Sequence, residues 1–314
     1  MVIDTDAERE LRSIPARIRP GRPSDSASAY AVHRHAIAAL NEKLGITEQP
    51  LPLADEEIER GWREDRALYA HLAAVAEQFW VAERGEELLG YARAVVLGGV
   101  RELTELFVAP GAQAAGIGRQ LLEAAFPRQR AWRRCVIATI DPSAQALYLR
   151  AGVYPRFPLY SFSRAPEMVA VPGDLRSVRA PATPETVAAM GFLDEMVLEH
   201  RRDVNHAWLL QDRQAYFYYR GDALLGYGYV GAHSGPFALL SPDEYPAVLA
   251  HAEAVAAQQG HARLSLIVPL VNEAAVGYLL RRQFRMGRFF CQVMTDRPFG
   301  RFEQYIATAP MFFL

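Results

Sequence analysis

The chain repeats itself. Arg84-Gly85-Glu86-Glu87-Leu88-Leu89-Gly90-Tyr91 returns 136 positions later as Arg220-Gly221-Asp222-Ala223-Leu224-Leu225-Gly226-Tyr227. In both places a short apolar or aromatic run precedes a glycine turn and another apolar run follows, the pattern of a β-hairpin. A second echo, 131 positions apart, sets Asp141-x-x-Ala144-x-x-Leu147 against Asn272-x-x-Ala275-x-x-Tyr278. Each follows a β-branched or apolar run and opens a helix-like segment. Two echoes in the same order at nearly equal offsets imply two copies of one fold. A chain of 314 residues has room for two domains of ordinary size.

Within the first copy, the periodicities predict a strand from Ala16, two helices, the hairpin at 79–96 and a strand ending at Val108. A helix opening at Gly116, a strand from Cys135, a helix from Ser143 and a last strand ending at Arg164 complete it. The second copy follows the same order, with one long helix predicted over 184–202, then the hairpin at 215–230 and alternating strands and helices up to Thr295. The segment 164–173 carries two prolines and a glycine and reads as the linker. The expected domains are therefore 1–165 and 174–314. Strands with inserted helices make the fold class α/β (α+β), each copy a mixed, mostly antiparallel twisted sheet flanked by helices.

Composition narrows the function. With 34 basic and 36 acidic residues the formal net charge is −2, so nothing global draws the chain to nucleic acid or to an anionic membrane. Two cysteines, Cys135 and Cys291, are too few for a disulfide framework and lack the paired spacing of a zinc site; they read as buried thiols. The first residues lack the apolar core of a signal segment and no run of about 18 apolar residues occurs, so a cytoplasmic location is expected. His33 and His35 lie two apart on a predicted helix, which excludes joint metal ligation, and no metal is expected. The run Arg128-Gln129-Arg130-Ala131-Trp132-Arg133-Arg134 reads as a solvated turn, the tyrosines around 216–229 as a half-buried hairpin, and the apolar tail Pro310-Met311-Phe312-Phe313-Leu314 as a segment that packs on a domain or an interface.

The sharpest chemical signal is the run from Leu106 to Leu122. An apolar strand ends at Pro110, a turn of small residues follows, and an amphipathic helix begins near Gly116. Small residues let a ligand approach the backbone, and the first-turn amides with the positive end of the helix dipole bind phosphate. A nucleotide-binding P-loop would need lysine and then serine or threonine after the last glycine, where Arg119 and Gln120 stand. A dinucleotide fingerprint would need glycine or alanine where Leu121 stands.

Here the chain resembles the GNAT superfamily of acyl-CoA N-acyltransferases. Val108, Pro110, Gln113, Gly116 and Gly118 match that family's Val-x-Pro strand end and its Gln/Arg-x-x-Gly-x-Gly/Ala turn. Asp141, Ala144, Leu147, Tyr148 and Gly152 match its second signature, with aspartate in place of asparagine and Val153 in place of phenylalanine. The resemblance implies that Phe107, Val108, Gln113, Ala114, Ala115, Gly116, Ile117, Gly118, Arg119, Asp141, Ala144 and Tyr148 bind acetyl-CoA. The second copy resembles the family but has Ser241-Pro242-Asp243-Glu244 where the turn should be, Leu279 at the place of Tyr148 and Gln283 at that of Gly152. It is a degenerate copy, and the chain is similar to tandem two-domain members of the family.

The implied reaction is transfer of an acetyl group to a primary amine by direct attack in a ternary complex. A phenol has an ordinary pKa near 10 and can protonate a departing thiolate, the role the resemblance implies for Tyr148. The amine must lose a proton, and Glu105 is the expected base, placed by strand alternation with Leu103 and Phe107 among apolar neighbours that would raise its pKa. Glu102 or a water remains open as the alternative. One of the two histidines on the first helix is a weaker candidate to touch substrate. The acceptor is expected to be a small-molecule or peptide amine and the chain a monomer or homodimer. The competing reading is a non-catalytic acyl-CoA sensor or partner-binding module.

Overall fold

The computed structural model describes residues 15–46, 53–113, 115–231 and 234–308. Ala114 and the apolar tail 310–314 lie outside the described residues. The fold is mixed α/β, with sheets flanked by helices. The chain divides into two compact units, one holding the residues up to Val96 with Arg101–Ala131, the other Leu97–Val100 with everything from Trp132 on.

The first unit contains β1 (Arg17–Pro20), α1 (Ser26–Lys43), α2 (Asp55–Val75), β2 (Ala76–Arg84), β3 (Glu87–Leu97), β4 (Val100–Val108) and α3 (Ile117–Ala125), with strands in the order β1-β2-β3-β4. β1 and β3 both run antiparallel to β2. The core gathers Ala29 and Val32 of α1 against Val81 and Tyr91, with Phe79, Leu88 and Phe107 packed on them. Between α1 and α2 the rings of Tyr30, Trp62 and Tyr69 meet edge-on or tilted, with centroids 5.3 to 5.8 Å apart.

The second unit contains β5 (Arg133–Thr139), α4 (Pro142–Arg150), β6 (Tyr154–Arg164), β7 (Leu175–Ala180), α5 (Pro184–Leu198), α6 (Asp203–Leu209), β8 (Gln214–Arg220), β9 (Ala223–Val230) and β10 (Phe237–Leu239). It continues with α7 (Tyr245–Gln258), β11 (Leu264–Pro269), α8 (Glu273–Arg281), β12 (Arg285–Thr295) and the short β13 (Tyr305–Ile306). Its strands run β5-β12-β6-β11 and β13-β10-β9-β8-β7. β12, from the second copy, pairs with β5 from the first, while β6, the last strand of the first copy, pairs with both β11 and β12 of the second. The copies thus exchange their last strands. This interleaving explains why the compact units part at Ala131 rather than at the linker after Arg164.

The duplication is visible atom by atom. Each hairpin carries a bulge that leaves one leucine unpaired, Leu89 in the first copy and Leu225 in the second. The Leu89 carbonyl accepts from Ala109 N–H at 2.8 Å and the Leu225 carbonyl from Leu240 N–H at 2.7 Å. A β-carbon on Gly90 would lie 2.8 Å from the Phe107 carbonyl oxygen, and one on Gly226 would lie 2.1 Å from that of Ala238. Glycine is required at both because the neighbouring strand backbone occupies the space a side chain would take.

Three expectations are corrected. The single helix expected over 184–202 is two: α5 ends at Leu198, Glu199 takes a left-handed φ of +62°, and α6 restarts at Asp203. In a continuous helix Arg202 and His206 would lie about 12 and 18 Å along the axis from Asp194 at 1.5 Å per residue. The break folds both back onto it. The basic run is not one solvated turn, because Arg134 is buried in β5, where it donates to the Ala151 carbonyl at 2.7 Å and faces Asp296, and Arg133 lies over the Trp132 ring. The last long strand begins at Arg285, earlier than the apolar run suggests. Cys135 and Cys291 are buried and not joined in a disulfide, as expected. The hairpin tyrosines also behave as expected, with Tyr218, Tyr227 and Tyr229 fully buried. Among the described residues no helix is long and apolar enough to cross a membrane.

Candidate active site

β4 delivers the chain to the glycine-rich turn. After Ala109 is pinned to the Leu89 bulge, Pro110–Ala112 makes one 3-10 turn, and the Gln113 side chain donates back to the Val108 carbonyl at 3.2 Å. Gly116 adopts φ +78° and ψ 0°, a left-handed conformation at the N-cap of α3. That conformation costs a residue with a β-carbon roughly 1–2 kcal/mol, which accounts for glycine there. The first helical bond runs from Gln120 N–H to the Gly116 carbonyl at 3.2 Å, so the amides of Ile117, Gly118 and Arg119 precede the intrahelical ladder. Gly111, Gln113, Ala115, Gly116 and Arg119 are exposed, and the first turn of α3 holds no acidic residue. Ile117, Leu121, Leu122 and Ala125 bury the other side of the helix and fix it in place. The amides outside the helical ladder, the positive dipole end and the absence of acid suit the pyrophosphate of an acyl-CoA.

The equivalent place in the second copy is built differently. α7 follows almost at once on β10, through a 3-10 turn at Pro242–Glu244 capped by the Ser241 hydroxyl. Glu244 is ion-paired with Arg220 at 2.6 Å. By the Gly226–Ala238 contact, Pro236 stands where the first copy has Glu105, so the strand carboxylate is also gone. The second copy has no anion cradle at this turn.

Glu105 is placed as alternation predicts, on the face of β4 with buried Leu103 and half-buried Phe107, but its neighbours are not the apolar ones expected. Its carboxylate is fully buried, accepts from the Tyr91 hydroxyl at 2.7 Å through Oε1, and pairs with Arg93 Nη1 at 2.7 Å through Oε2. Arg93 is itself 0% exposed, with its guanidinium 4.4 Å from the Phe79 ring centre and within 6 Å of those of Tyr69 and Tyr91. The electron-rich ring faces help offset its desolvation. Glu102 is buried too, at 2% exposure, three positions earlier on the same strand.

This polar core reaches the helices. The Tyr69 hydroxyl lies 2.8 Å from His33 Nδ1, and the His33 ring centre is 4.5 Å from that of Phe107. Burial raises the pKa of both Tyr69 and Tyr91, with the charge of Glu105 adding to it, so both stay protonated at neutral pH. Burial, with a contribution from Arg34, pushes His33 down to about 4, and its imidazole is neutral at pH 7. Among the described residues no His, Cys, Asp and Glu cluster able to hold a metal ion is found.

Tyr148 sits on α4 in the second unit, 5% exposed, and burial raises its pKa, with smaller contributions from Asp141 and Cys291. Asp141 is the N-cap of α4, accepting from the amides of Ser143 and Ala144 at 2.9 Å each. In the second copy Asn272 caps α8 by accepting from Ala275 N–H at 3.1 Å and donates to the Tyr305 carbonyl at 3.2 Å. The second sequence echo is therefore a helix cap. Gly152 ends α4 at φ +81°, and its counterpart Gln283 holds φ +61°, so the turn survives even where the glycine does not.

The glycine-rich turn, Phe107, Val108 and Glu105 belong to the first unit, and Asp141, Ala144 and Tyr148 to the second. Sequence reasoning missed Tyr69, Tyr91 and Arg93. The available signal was a buried-strand pattern interrupted by charge, Arg93 on β3 and Glu105 on β4. It also missed a second polar core, where Asp194 accepts from Arg202 Nε and Nη2 at 2.8 and 2.9 Å, lies 2.7 Å from His206 Nε2, and accepts from Tyr227. Arg202 also donates to the Tyr305 hydroxyl at 2.8 Å. Tyr227 and Tyr229 are the repeat counterparts of Tyr91 and Arg93, so each copy buries a charged network beside its hairpin, and the second is closed on itself.

Residues 76–153 match the family model of the acetyltransferase (GNAT) domain. No curated protein matches the chain significantly by sequence. Among solved structures, a proposed acetyltransferase from Pyrococcus horikoshii is similar with a TM-score of 0.68 and 16% identity, over 92% of this chain and 92% of that one. A tandem GNAT protein from the clavulanic acid biosynthesis pathway gives 0.59 and 14%, over 90% of this chain and 99% of that one. A GCN5-related N-acetyltransferase from Sphaerobacter thermophilus gives 0.58 and 15%, over 91% and 98%. At these identities the likeness establishes the fold, which is that of tandem GNAT proteins.

Proposed function

Starting from a chain with an acetyltransferase (GNAT) domain at residues 76–153 and a tandem GNAT fold, we propose an N-acetyltransferase that moves an acetyl group from acetyl-CoA to a primary amine by direct attack. The turn from Gln113 to Arg119, Ala114 included, takes the pyrophosphate on its backbone amides. The amides of Phe107 and Val108 polarise the thioester carbonyl, where negative charge develops as the amine adds. Asp141 and Ala144 open the helix that carries Tyr148, and Tyr148 protonates the departing thiolate. Glu105 serves the loss of the amine proton from a buried, ion-paired position. The second copy is degenerate and binds no coenzyme. The acceptor is a small-molecule or peptide amine.

One observation supports this above the others: a left-handed glycine opens α3 with first-turn amides outside the helical ladder and no acid in that turn, whereas Glu244 occupies the matching place in the second copy. Calorimetry with coenzyme A tests it, with one site per chain expected and two equivalent sites contrary to it. Acetyl transfer to a broad amine panel, corrected for hydrolysis, tests the chemistry. Binding without turnover on any amine would favour a sensor.

A further inference from the structure

The second copy has lost the cradle and the strand carboxylate, but it holds a cavity of about 390 Å3 where two of its connections meet. Arg179 at the end of β7 lines it, with Ala180, Pro181 and Ala182 on the way into α5. From the turn between α6 and β8 come Leu210 and Arg213. The small side chains leave the space open and make much of the lining apolar, and no acidic residue lines it among those described. Arg213 is half-buried and anchored, with Nη1 donating to the Thr308 hydroxyl at 2.8 Å and to the Gly235 carbonyl at 3.4 Å. Arg179 is exposed and lies opposite Tyr216 in the strand register.

The repeat shows that this pair of cations does not come with the fold. At the hairpin offset of 136, Tyr216 corresponds to Trp80, and the residues opposite them are Arg179 in the second copy and Pro20 in the first. Arg213 corresponds to Glu77, which the first copy ion-pairs with Arg101. A proline and an acid in one copy have become two arginines in the other. Like charges beside one cavity oppose folding unless an anion joins them.

We propose that this cavity is a ligand site of the second copy, which takes a small organic carboxylate on the guanidinium groups of Arg179 and Arg213 with its hydrocarbon body against Pro181 and Leu210. The site is separate from the acetyl-transfer reading and does not depend on it.

The lining selects this class of ligand. A guanidinium presents parallel N–H donors that match the two oxygens of a carboxylate, and such charge-assisted bonds are the strong ones. Hydrocarbon attached to the carboxylate leaves water against alanine, proline and leucine, which is favourable in proportion to the area covered. Inorganic phosphate would use the charge and leave the apolar lining wet. Burial pushes the Arg213 guanidinium below its ordinary value, with Asp212 and Tyr229 acting the other way. A bound anion would favour its charged form further. The volume is at the small end of the range for ligand pockets, which suits a compact acid.

Ligand-observed fluorine NMR on the full chain, with para-fluorobenzoate as the probe, tests this. Saturable broadening of the probe is expected, reversed by butyrate and absent for the neutral para-fluorobenzamide. Arg179→Gln is expected to weaken binding by roughly tenfold or more, the worth of one hydrogen bond to a charged group, and Arg213→Gln by at least as much. Circular dichroism reports whether each variant folds, and Arg179→Gln alone decides if Arg213→Gln does not. Absence of saturable binding, equal binding of the amide, or unchanged affinity in Arg179→Gln overturns the proposal. Inorganic phosphate that displaces the probe as well as butyrate does overturns the assignment to an organic carboxylate. Displacement by coenzyme A would give the cavity to the coenzyme, overturning this proposal together with the reading that the second copy binds none.

Discussion

Replacing Asp194 by alanine should destabilise the second unit more than any surface change can. Its carboxylate is 0% exposed and receives both nitrogens of a bidentate Arg202 contact, His206 and Tyr227. Alanine would strand the Arg202 guanidinium, itself 1% exposed, as an uncompensated buried charge, a loss of about 3–5 kcal/mol. For a unit of this size, at about 2–4 °C per kcal/mol, the melting temperature falls by about 10 °C. Calorimetry or thermal denaturation followed by circular dichroism reads it directly. The double variant Asp194→Ala with Arg202→Met removes the stranded charge and should recover much of the loss, because apolar replacement of a whole buried pair is close to neutral. pH supplies an independent arm. Burial pushes the Asp194 carboxyl up, but the opposing charges of Arg202 and His206 outweigh it and hold the group well below the usual carboxylate range. A depressed folded pKa means the contribution is complete above the unfolded value near 4 and is lost as pH falls below it, so the wild type should weaken in that acid range more than the double variant. A single variant within about 1 kcal/mol of wild type, or a double variant no better than the single, would refute the reasoning.

Gly116→Glu should abolish coenzyme A binding in calorimetry while leaving the circular dichroism spectrum intact; strain at φ +78° costs about 1–2 kcal/mol and the new carboxylate opposes the pyrophosphate. Retained affinity would move the cradle elsewhere. Tyr148→Phe is expected to lower turnover by roughly ten- to ten-thousand-fold with coenzyme A affinity little changed, and an unchanged rate with a good acceptor would make Tyr148 a packing residue. A chain cut after Ala165 removes β11 and β12, the partners of β6 on both edges and of β5, and leaves unpaired strand edges. That fragment should be insoluble or aggregated on gel filtration, and a stable active monomer would contradict the exchange of strands between the copies.

Local chemistry was legible before any coordinates. The duplication, the hairpins, the glycine-opened helix and the Asp141 and Asn272 segments are written in neighbouring residues, since a turn, a cap or a left-handed glycine is decided within a few positions by backbone sterics and orphan amides. Even the loss of the cradle in the second copy shows as Ser241-Pro242-Asp243-Glu244 in place of glycine. What the strands would pair with did not show. β6 and β12 carry no mark of exchange, because their apolar alternation is satisfied equally by a partner from either copy. The charged cores were equally hidden. Glu105 reads as a carboxylate among apolar residues on its own strand, and only the register that brings β3 alongside, with Tyr91 and Arg93, turns it into half of a buried ion pair. Asp194 and Arg202 lie within one predicted helix, with His206 just beyond its expected end, and only the left-handed Glu199 that breaks it lets all three meet. Sequence neighbours specify conformation at short range, while charge compensation in a core depends on distances that only the packed chain sets.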